Sequence, residues 1–483
     1  MRLPEPIEKS GYFWLPENPE FKLPGVLHIS DTAKATLEVL GLFGDNIIQM
    51  LAMPERQRII GVIESIGFVT LEHCICINQT YSTGTSISKS SFIVNLVFSG
   101  FNYGSEKEIS FREIEFTVEG LDEWLSITGL HQQNDFKSQE ITIRFSPPKA
   151  IQINLSEGVQ MTFGFGYSCN YGYTKAKIEQ KSFIKITMEN ARPFKELISL
   201  IFKINNFFCF AIDNVVTINS MTGYVDSFKS DEEEIEAHFT PVSIYYRSIL
   251  CPDLKTVVSE FDVFFSYKDV ATQLEKILVN WLSNYEISEP AFNLYFASKS
   301  GAHKYINGEF LSLAQGLETL HRRNSPEKIS MPENVFCELK NNLLEVCPED
   351  KKEWLEGSLK YANGISLRHR IKQMIEPFKE LYGSRREQSS FIDKVLNTRN
   401  YLTHYSPSLK DKSCDGIELA KLSQKLEVLF QLHFLHLVGL DHSLIIKLAK
   451  ENTALQEKLR ISDQPIKEEH LSEDGKTIET YHF

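Results

Sequence analysis

The hydrophobic period of this chain changes once, near residue 270, and that change limits the folds open to it. Before it, "SFIVNLVFSG" (91–100), "REIEFTVEG" (112–120), "EITIRFS" (140–146) and "AIQINLS" (150–156) alternate apolar and polar positions, with Gly, Ser, Asn and Pro between them. That is the pattern of half-buried strands. "FGFGYSCNYGY" (163–173) reads as a turn-rich β region, "SDEEEIEA" (230–237) as a loop, and strands resume around "VSIYYRS" and "EFDVFFSY". One helix is expected in this half, Arg192–Phe207, with Pro193 at its start. After residue 270, apolar residues recur at three-four spacing in 269–285, 308–323, 366–382, 389–405 and 416–439. A period-two pattern does not sit on a helix, nor a 3.6 pattern on a sheet. The predicted fold class is therefore α+β and multidomain, with a β-rich domain over 1–268, an all-α bundle over 269–460 and a polar tail over 461–483.

Composition narrows the function classes. With 42% hydrophobic and 24% charged residues, the chain reads as a soluble globular protein. Its most apolar long stretch, 196–218, is interrupted by Lys203, Asn205, Asn206 and Asp213, so no membrane span is expected. The opening "MRLPEPIEKSGYFWLPENPEF" lacks the apolar core of a secretory signal, and a cytoplasmic location is expected. The eight scattered cysteines read as reduced and buried. A net charge of −13 argues against a general nucleic-acid coat. Between Lys351 and Lys410, however, twelve Lys and Arg stand against six Asp and Glu, which leaves −19 on the remainder. A local basic region on an acidic protein suits a selected phosphate-bearing ligand, and it equally suits solvated helix faces.

Within that region the helix 389–405 carries the chemistry-bearing residues. Ser389 or Ser390 is the expected N-cap, and Pro407 disfavours helical geometry at Ser406, so the helix should stop near Tyr405. Ile392, Val395, Leu396, Leu402 and Thr403 share a mainly apolar face, and Arg399 falls in the middle of it. A guanidinium placed there needs a carboxylate, a phosphate or a water-filled cleft. A second stripe, Asp393, Asn397, Asn400 and His404, follows one edge, about 140° around from Arg399. The structural reading is an interhelical salt bridge for Arg399 and a C-terminal histidine favoured by the helix dipole. The chemical reading is phosphodiester cleavage, with histidine moving protons near neutral pH and the arginine fork holding phosphate oxygens.

Arg399-Asn400-x-x-x-His404, at a helix end in a C-terminal helical region, resembles the R-x4-6-H motif of HEPN ribonucleases. "TRNYLTHY" (398–405), "FLSLAQGLETLHRR" (310–323) and the opening "GYFWLPENPEFKLPGVLHIS" (11–30) together resemble the ApeA-type anti-phage defence proteins, which join a β-rich domain to an Apea-like HEPN domain. One departure stands out: Tyr405 directly follows the histidine, where R-x4-H-x-Y toxins place tyrosine two positions on. The resemblance implies a metal-independent endoribonuclease that acts in abortive infection and leaves 2′,3′-cyclic phosphate and 5′-OH ends. Arg399 and His404 would be catalytic, with Asn400 and Asn397 as orienting or substrate contacts. It also implies RNA as substrate, tRNA by family analogy alone, a phage-derived trigger, no cofactor, and a homodimer or higher oligomer through the helical domain. A non-catalytic HEPN module that binds nucleotide or a partner is the competing function.

Other candidates are weaker. Glu318 and His321, neighbours at i, i+3, could contact substrate in the same cleft or simply pack. His433 and His436 sit among Leu and Phe and read as packing rather than as metal ligands with His442. Cys74 and Cys76 lack the second pair that zinc needs, so no metal site is expected.

Overall fold

In the computed structural model, which describes residues 1–43, 56–82, 87–104, 107–226, 239–248, 258–259, 263–459, 466–471 and 477–482, the alternating half of the sequence becomes sheet and the three-four half becomes helices. Two compact units result, Met1–Leu282 and Ser283–Phe483.

The first unit begins with β1 (Ile7–Trp14), β2 (Leu23–Ile29), β3 (Ala35–Leu40), β4 (Gln57–Ile63), β5 (Gly67–Thr80) and β6 (Lys89–Val94). These hydrogen-bond in the order β5-β4-β1-β2-β3-β6, and β6 pairs again with β5. The strands thus close into a six-stranded antiparallel barrel, which leaves these strands without a free edge. Alternation decides which side chains fill it. Phe13, Leu27, Leu37, Val69, Leu71 and Phe92 are buried, whereas the adjacent Tyr12, Val26 and Phe68 face outward.

From β5 the sheet continues through β7 (Leu96–Ser99), β8 (Ser110–Val118), β11 (Ile151–Ser156), β12 (Val159–Tyr171), β13 (Ala176–Pro193), β14 (Ile218–Asp226) and β15 (Phe239–Tyr246), in the order β7-β15-β14-β8-β13-β12-β11. Helix α1 (Leu121–Leu125) follows β8, while β9 (Leu130–Asp135) and β10 (Glu140–Phe145) form a separate hairpin. Helix α2 (Phe194–Ile212) starts after Pro193 as expected, runs five residues beyond Phe207, and packs on β8 and β13. Its aromatic residues centre the core. Trp281 stacks on Phe210 at 5.4 Å, meets Phe207 edge-on at 5.6 Å, and donates its indole N–H to the Lys203 carbonyl at 2.9 Å.

Two readings of this half need correction. "FGFGYSCNYGY" is not turn-rich: through Tyr171 it belongs to β12, paired with β13. Gly164 lies opposite Phe183, and a Cβ there would come within 2.2 Å of the Phe183 ring, so this glycine makes room for a cross-strand aromatic. The described part of "EFDVFFSY" forms bends and then a helix start, with Phe264 and Phe265 buried by hydrophobic packing rather than by strand pairing. The acidic run 230–237 lies outside the described residues. Cys74, Cys209 and Cys414 are buried, but Cys169 and Cys337 are exposed.

The helices are α3 (Tyr267–Val270), α4 (Leu274–Lys299), α5 (Ile306–Asn324), α6 (Glu333–Glu345), α7 (Lys352–Leu359), α8 (Leu367–Ile375), α9 (Arg385–His404), α10 (Gly416–Leu437), α11 (His442–Glu451) and α12 (Thr453–Leu459). Helix α4 kinks at Ser288, two residues before Pro290, whose ring and missing N–H disrupt the preceding turn. In the second unit its later turns pack with α10: Phe292 stacks on Phe434 at 4.3 Å and Tyr295 meets Phe430 at 5.4 Å. Helix α5 joins through Gly316, where a Cβ would sit 2.7 Å from the Phe430 ring. Helices α8 and α9 pack against α5 and α10. The expected single helix 366–382 is α8 followed by a 3-10 stretch, Glu376–Leu381, because Pro377 interrupts the α-helical bonding. The polar tail contains a hairpin of β16 (Ile466–Leu471) and β17 (Thr477–His482).

The aromatic core makes a stability prediction. Trp281→Ala should cost the first unit about 3–5 kcal/mol, read as a lower urea midpoint for that unit's transition. An unchanged midpoint would contradict the packing described.

Candidate functional site

Helix α9 begins earlier than its apolar run suggests. Its N-cap is Ser384, not Ser389 or Ser390: the Ser384 amide donates to Glu387 Oε2 at 2.6 Å, and the Glu387 amide donates back to Ser384 Oγ at 3.4 Å. That reciprocal capping box, together with the helix dipole, favours a start at Arg385. The Glu387 carboxyl is held below the usual carboxylate range, first by the Ser384 hydroxyl and then by its amide.

The buried face of α9 consists of Phe391, Ile392, Val395, Thr398 and Leu402. It differs from the expected face, because Leu396 is half-buried and Thr403 exposed. The difference comes from Thr398, fully buried, whose hydroxyl accepts the Cys414 amide at 2.9 Å and ties the returning chain to the helix. Arg399 consequently flanks the buried face instead of occupying its middle. It is half-buried and donates from Nη1 to Asn400 Oδ1 at 3.2 Å. Asn400 is its one hydrogen-bonding side chain among the described residues, and no carboxylate pairs with it there. The Arg399 carbonyl accepts the Thr403 hydroxyl at 2.7 Å.

The helix stops as Pro407 requires, with Ser406 extended and Tyr405 in the left-handed region at φ 50°. The Tyr405 amide donates to the Tyr401 carbonyl at 2.6 Å, and the two rings touch edge-on at 5.6 Å. His404, on the last helical turn, is exposed, as is Tyr405, while Asn397 and Asn400 are half-buried. Asn400 lies between Arg399 and His404 around the helix and accepts from the first.

Glu318 and His321 are both on α5 but enter two different cavities. Glu318 pairs with Arg322 at 2.7 Å and lines a cavity of about 740 Å³ with Lys328, Lys360 and Arg370. His321 is buried and lines a second cavity, about 590 Å³, with Gln373, His433 and His436. Neither of these two cavities is lined by Arg399 or His404. A buried network explains the position of His321. Its Nδ1 accepts from Arg370 Nη1 at 3.1 Å, which leaves Nε2 protonated to donate to Gln373 Oε1 at 2.7 Å; Gln373 in turn donates to Glu327. Burial holds its pKa below the usual value for histidine. The residue that sequence reasoning missed is Arg370, whose signal was a basic position next to Ile371 on the amphipathic α8.

The distal histidines behave as packing residues in part. His433 donates from Nε2 to the Met374 carbonyl at 2.9 Å and meets Phe378 edge-on, while His442 stacks on the same ring. His436 is exposed. Among the described residues no group of three or more His, Cys, Asp and Glu could hold a metal ion, and no helix is long and apolar enough to cross a membrane.

Burial pushes the His433 pKa from its usual 6.5 down to about 4. Between those values the unfolded chain binds a proton that the fold refuses, so stability should fall as pH drops through that window. His433→Gln should flatten the loss of urea resistance between about pH 7 and pH 5. An equal loss in both proteins would show that His433 is not the group responsible.

The family model for ApeA N-terminal domain 1 matches residues 8–281, and that for Apea-like HEPN matches residues 311–444, a span that includes Arg399 and His404. No curated protein and no solved structure gives a match. The first match covers the barrel and its extended sheet, more than half of the chain, and the second covers the helices that carry the motif; the chain therefore belongs to the ApeA family, with a C-terminal Apea-like HEPN domain.

Proposed function

We propose that this chain is a cytoplasmic, metal-independent endoribonuclease of anti-phage defence, cleaving cellular RNA through Arg399 and His404 at the end of α9. Its family supports the coarser reading, a HEPN-type defence protein. The observation that carries the finer one is Arg399: half-buried, held only by Asn400, and without a carboxylate among the described residues. A structural arginine at such depth normally has an anionic partner, and a phosphate would supply one.

Each group has a role its chemistry allows. The exposed His404 imidazole takes the proton from a ribose 2′-OH or gives one to the leaving 5′-oxygen. Arg399 places its fork on the phosphorane oxygens, stabilising charge that develops in the transition state. Asn400 holds the Nη1 edge of that fork and fixes its direction. Attack of the 2′-oxygen on phosphorus breaks the bond to the 5′-oxygen and leaves a 2′,3′-cyclic phosphate and a 5′-OH.

One chain offers one histidine, whereas in-line cleavage uses an acid and a base. Arg399 and His404 also point about 140° apart around their helix. Two-fold pairing of the helical domains resolves both problems, because each chain would present its arginine or histidine to the other chain's complementary group.

Arg399→Ala and His404→Ala should each lower RNA cleavage about a hundredfold or more, with folding intact and Asn400→Ala less affected. Cleavage should survive excess EDTA. Excess His404→Ala chains should suppress wild-type activity by forming defective mixed dimers. If folded His404→Ala protein cleaves at the wild-type rate, the mechanism is lost; if a strictly monomeric particle is fully active, the shared site is lost. Binding of RNA that tolerates His404→Gln without any cleavage would favour the non-catalytic module.

A further inference from the structure

Strands β9 and β10 stand apart from the main sheet as a hairpin of their own, in which only Leu130 and Phe145, at its base, are half-buried and every other residue is exposed. The base is anchored. The Gly129 amide donates to Gln180 Oε1 at 2.8 Å, Gln180 Nε2 donates to the Ile127 carbonyl at 2.8 Å, and the Phe145 ring meets Tyr167 of β12 at 5.1 Å. Beyond that base the hairpin projects, and among the described residues the outer edges of both strands are unpaired. A lone two-stranded hairpin is marginally stable in water, and an open edge is a template for another strand.

The sequence of β10, "EITIRF" (140–145), is complementary to itself. Laid antiparallel on a second copy with Thr142 opposite Thr142, it sets Glu140 against Arg144 and Ile141 against Ile143, each pair occurring twice. Directly opposed residues of antiparallel strands share a face, so the charged pairs fall on one side and the isoleucines on the other. All four side chains are free to meet a partner. Ile141 is 69% exposed and Ile143 55%, and neither Glu140 nor Arg144 makes an ion pair among the described residues. Within its own hairpin Glu140 stands directly opposite Asp135, a like-charge pair that weakens the hairpin, and Arg144 stands opposite His131. The β9 edge offers less: centred on Gln133 it would pair Asp135 with His131 and Gln132 with Asn134, with no apolar pair between them.

We propose that the outer edge of β10 is a self-association surface, occupied by the same edge of a second copy, so that two hairpins join into one four-stranded sheet about a two-fold axis at Thr142. Ladder hydrogen bonds then satisfy the edge amides and carbonyls. The partner's Arg144 offsets the repulsion between Glu140 and Asp135, and the four isoleucines pack together on one face. Four strands with an apolar cluster are a more stable unit than two. The contact is isologous and closes on itself, so it stops at two chains instead of growing as a fibre. It belongs to the β-rich unit and does not depend on the ribonuclease reading or on pairing of the helical domains.

The test is disulfide capture in the purified full-length protein. Thr142→Cys puts one thiol from each chain at the axis, where opposed Cα atoms about 4.5–5.5 Å apart are within disulfide reach. Mild oxidation with copper phenanthroline should link these chains in pairs well above the background set by the native cysteines. Gln133→Cys, opposite Thr142 on β9, should stay at that background. Adding Arg144→Glu to Thr142→Cys should lower capture about tenfold or more, because two attractive pairs become repulsive, and adding Glu140→Arg as well should restore it. All these positions are exposed, so the variants should keep the wild-type melting temperature. Capture of Thr142→Cys at the background level would overturn the proposal, as would equal capture through Gln133→Cys. Capture that ignores Arg144→Glu, or that the charge swap does not restore, would overturn the pairing of Glu140 with Arg144. The readout involves no RNA cleavage, so each outcome leaves the α9 reading untouched.

Discussion

The hydrogen bond from the Cys414 amide to the buried Thr398 hydroxyl fixes the rotation of α9, and the candidate chemistry depends on that rotation. An α-helix advances about 100° per residue. Once Thr398 faces inward, Arg399 must flank the core and His404 must face water on the far side. Losing the bond would leave a buried amide and hydroxyl without partners, which is costly enough to hold the register. The capping box at one end and the left-handed Tyr405 at the other set the helix length, so the register is constrained at three points.

That geometry separates two kinds of arginine within one domain. Arg399 sits half-buried at the boundary of the core and touches Asn400. Arg370 is buried, lines a cavity, and donates to two neutral acceptors, with Glu318 as its nearest opposing charge. The basic surplus between Lys351 and Lys410 therefore does not describe one continuous footprint. Several of its members are spent on surface pairs, such as Arg368 with Asp393 and Lys394 with Glu418, which contribute little stability.

The change of hydrophobic period made both halves of the fold legible, and the X-Pro rule at Ser406–Pro407 located the end of α9. The start of α9 was legible too, since Ser384 and Glu387 have capping-box spacing, but it lies in a polar stretch ahead of the apolar run. Barrel closure was not legible, because nothing in an alternating strand says that β6 will return to β5. The glycines of "FGFGYSCNYGY" looked like turns because their real role, space for Phe183, belongs to the neighbouring strand. Depth on the helices was equally hidden. His321 and Arg370 bury each other's polar atoms across two helices some fifty positions apart in sequence, and single-helix periodicity carries no information about such a partner.

The most direct test of the central claim, that the end of α9 cleaves RNA, is the sequencing of RNA ends from cells expressing the wild-type chain or His404→Ala at equal levels. New 5′-OH and 2′,3′-cyclic phosphate ends should accumulate at discrete positions with the wild type once the protein is active, and should be absent with His404→Ala. Identical end profiles from the two proteins, in cells where the wild type is demonstrably toxic, would contradict it.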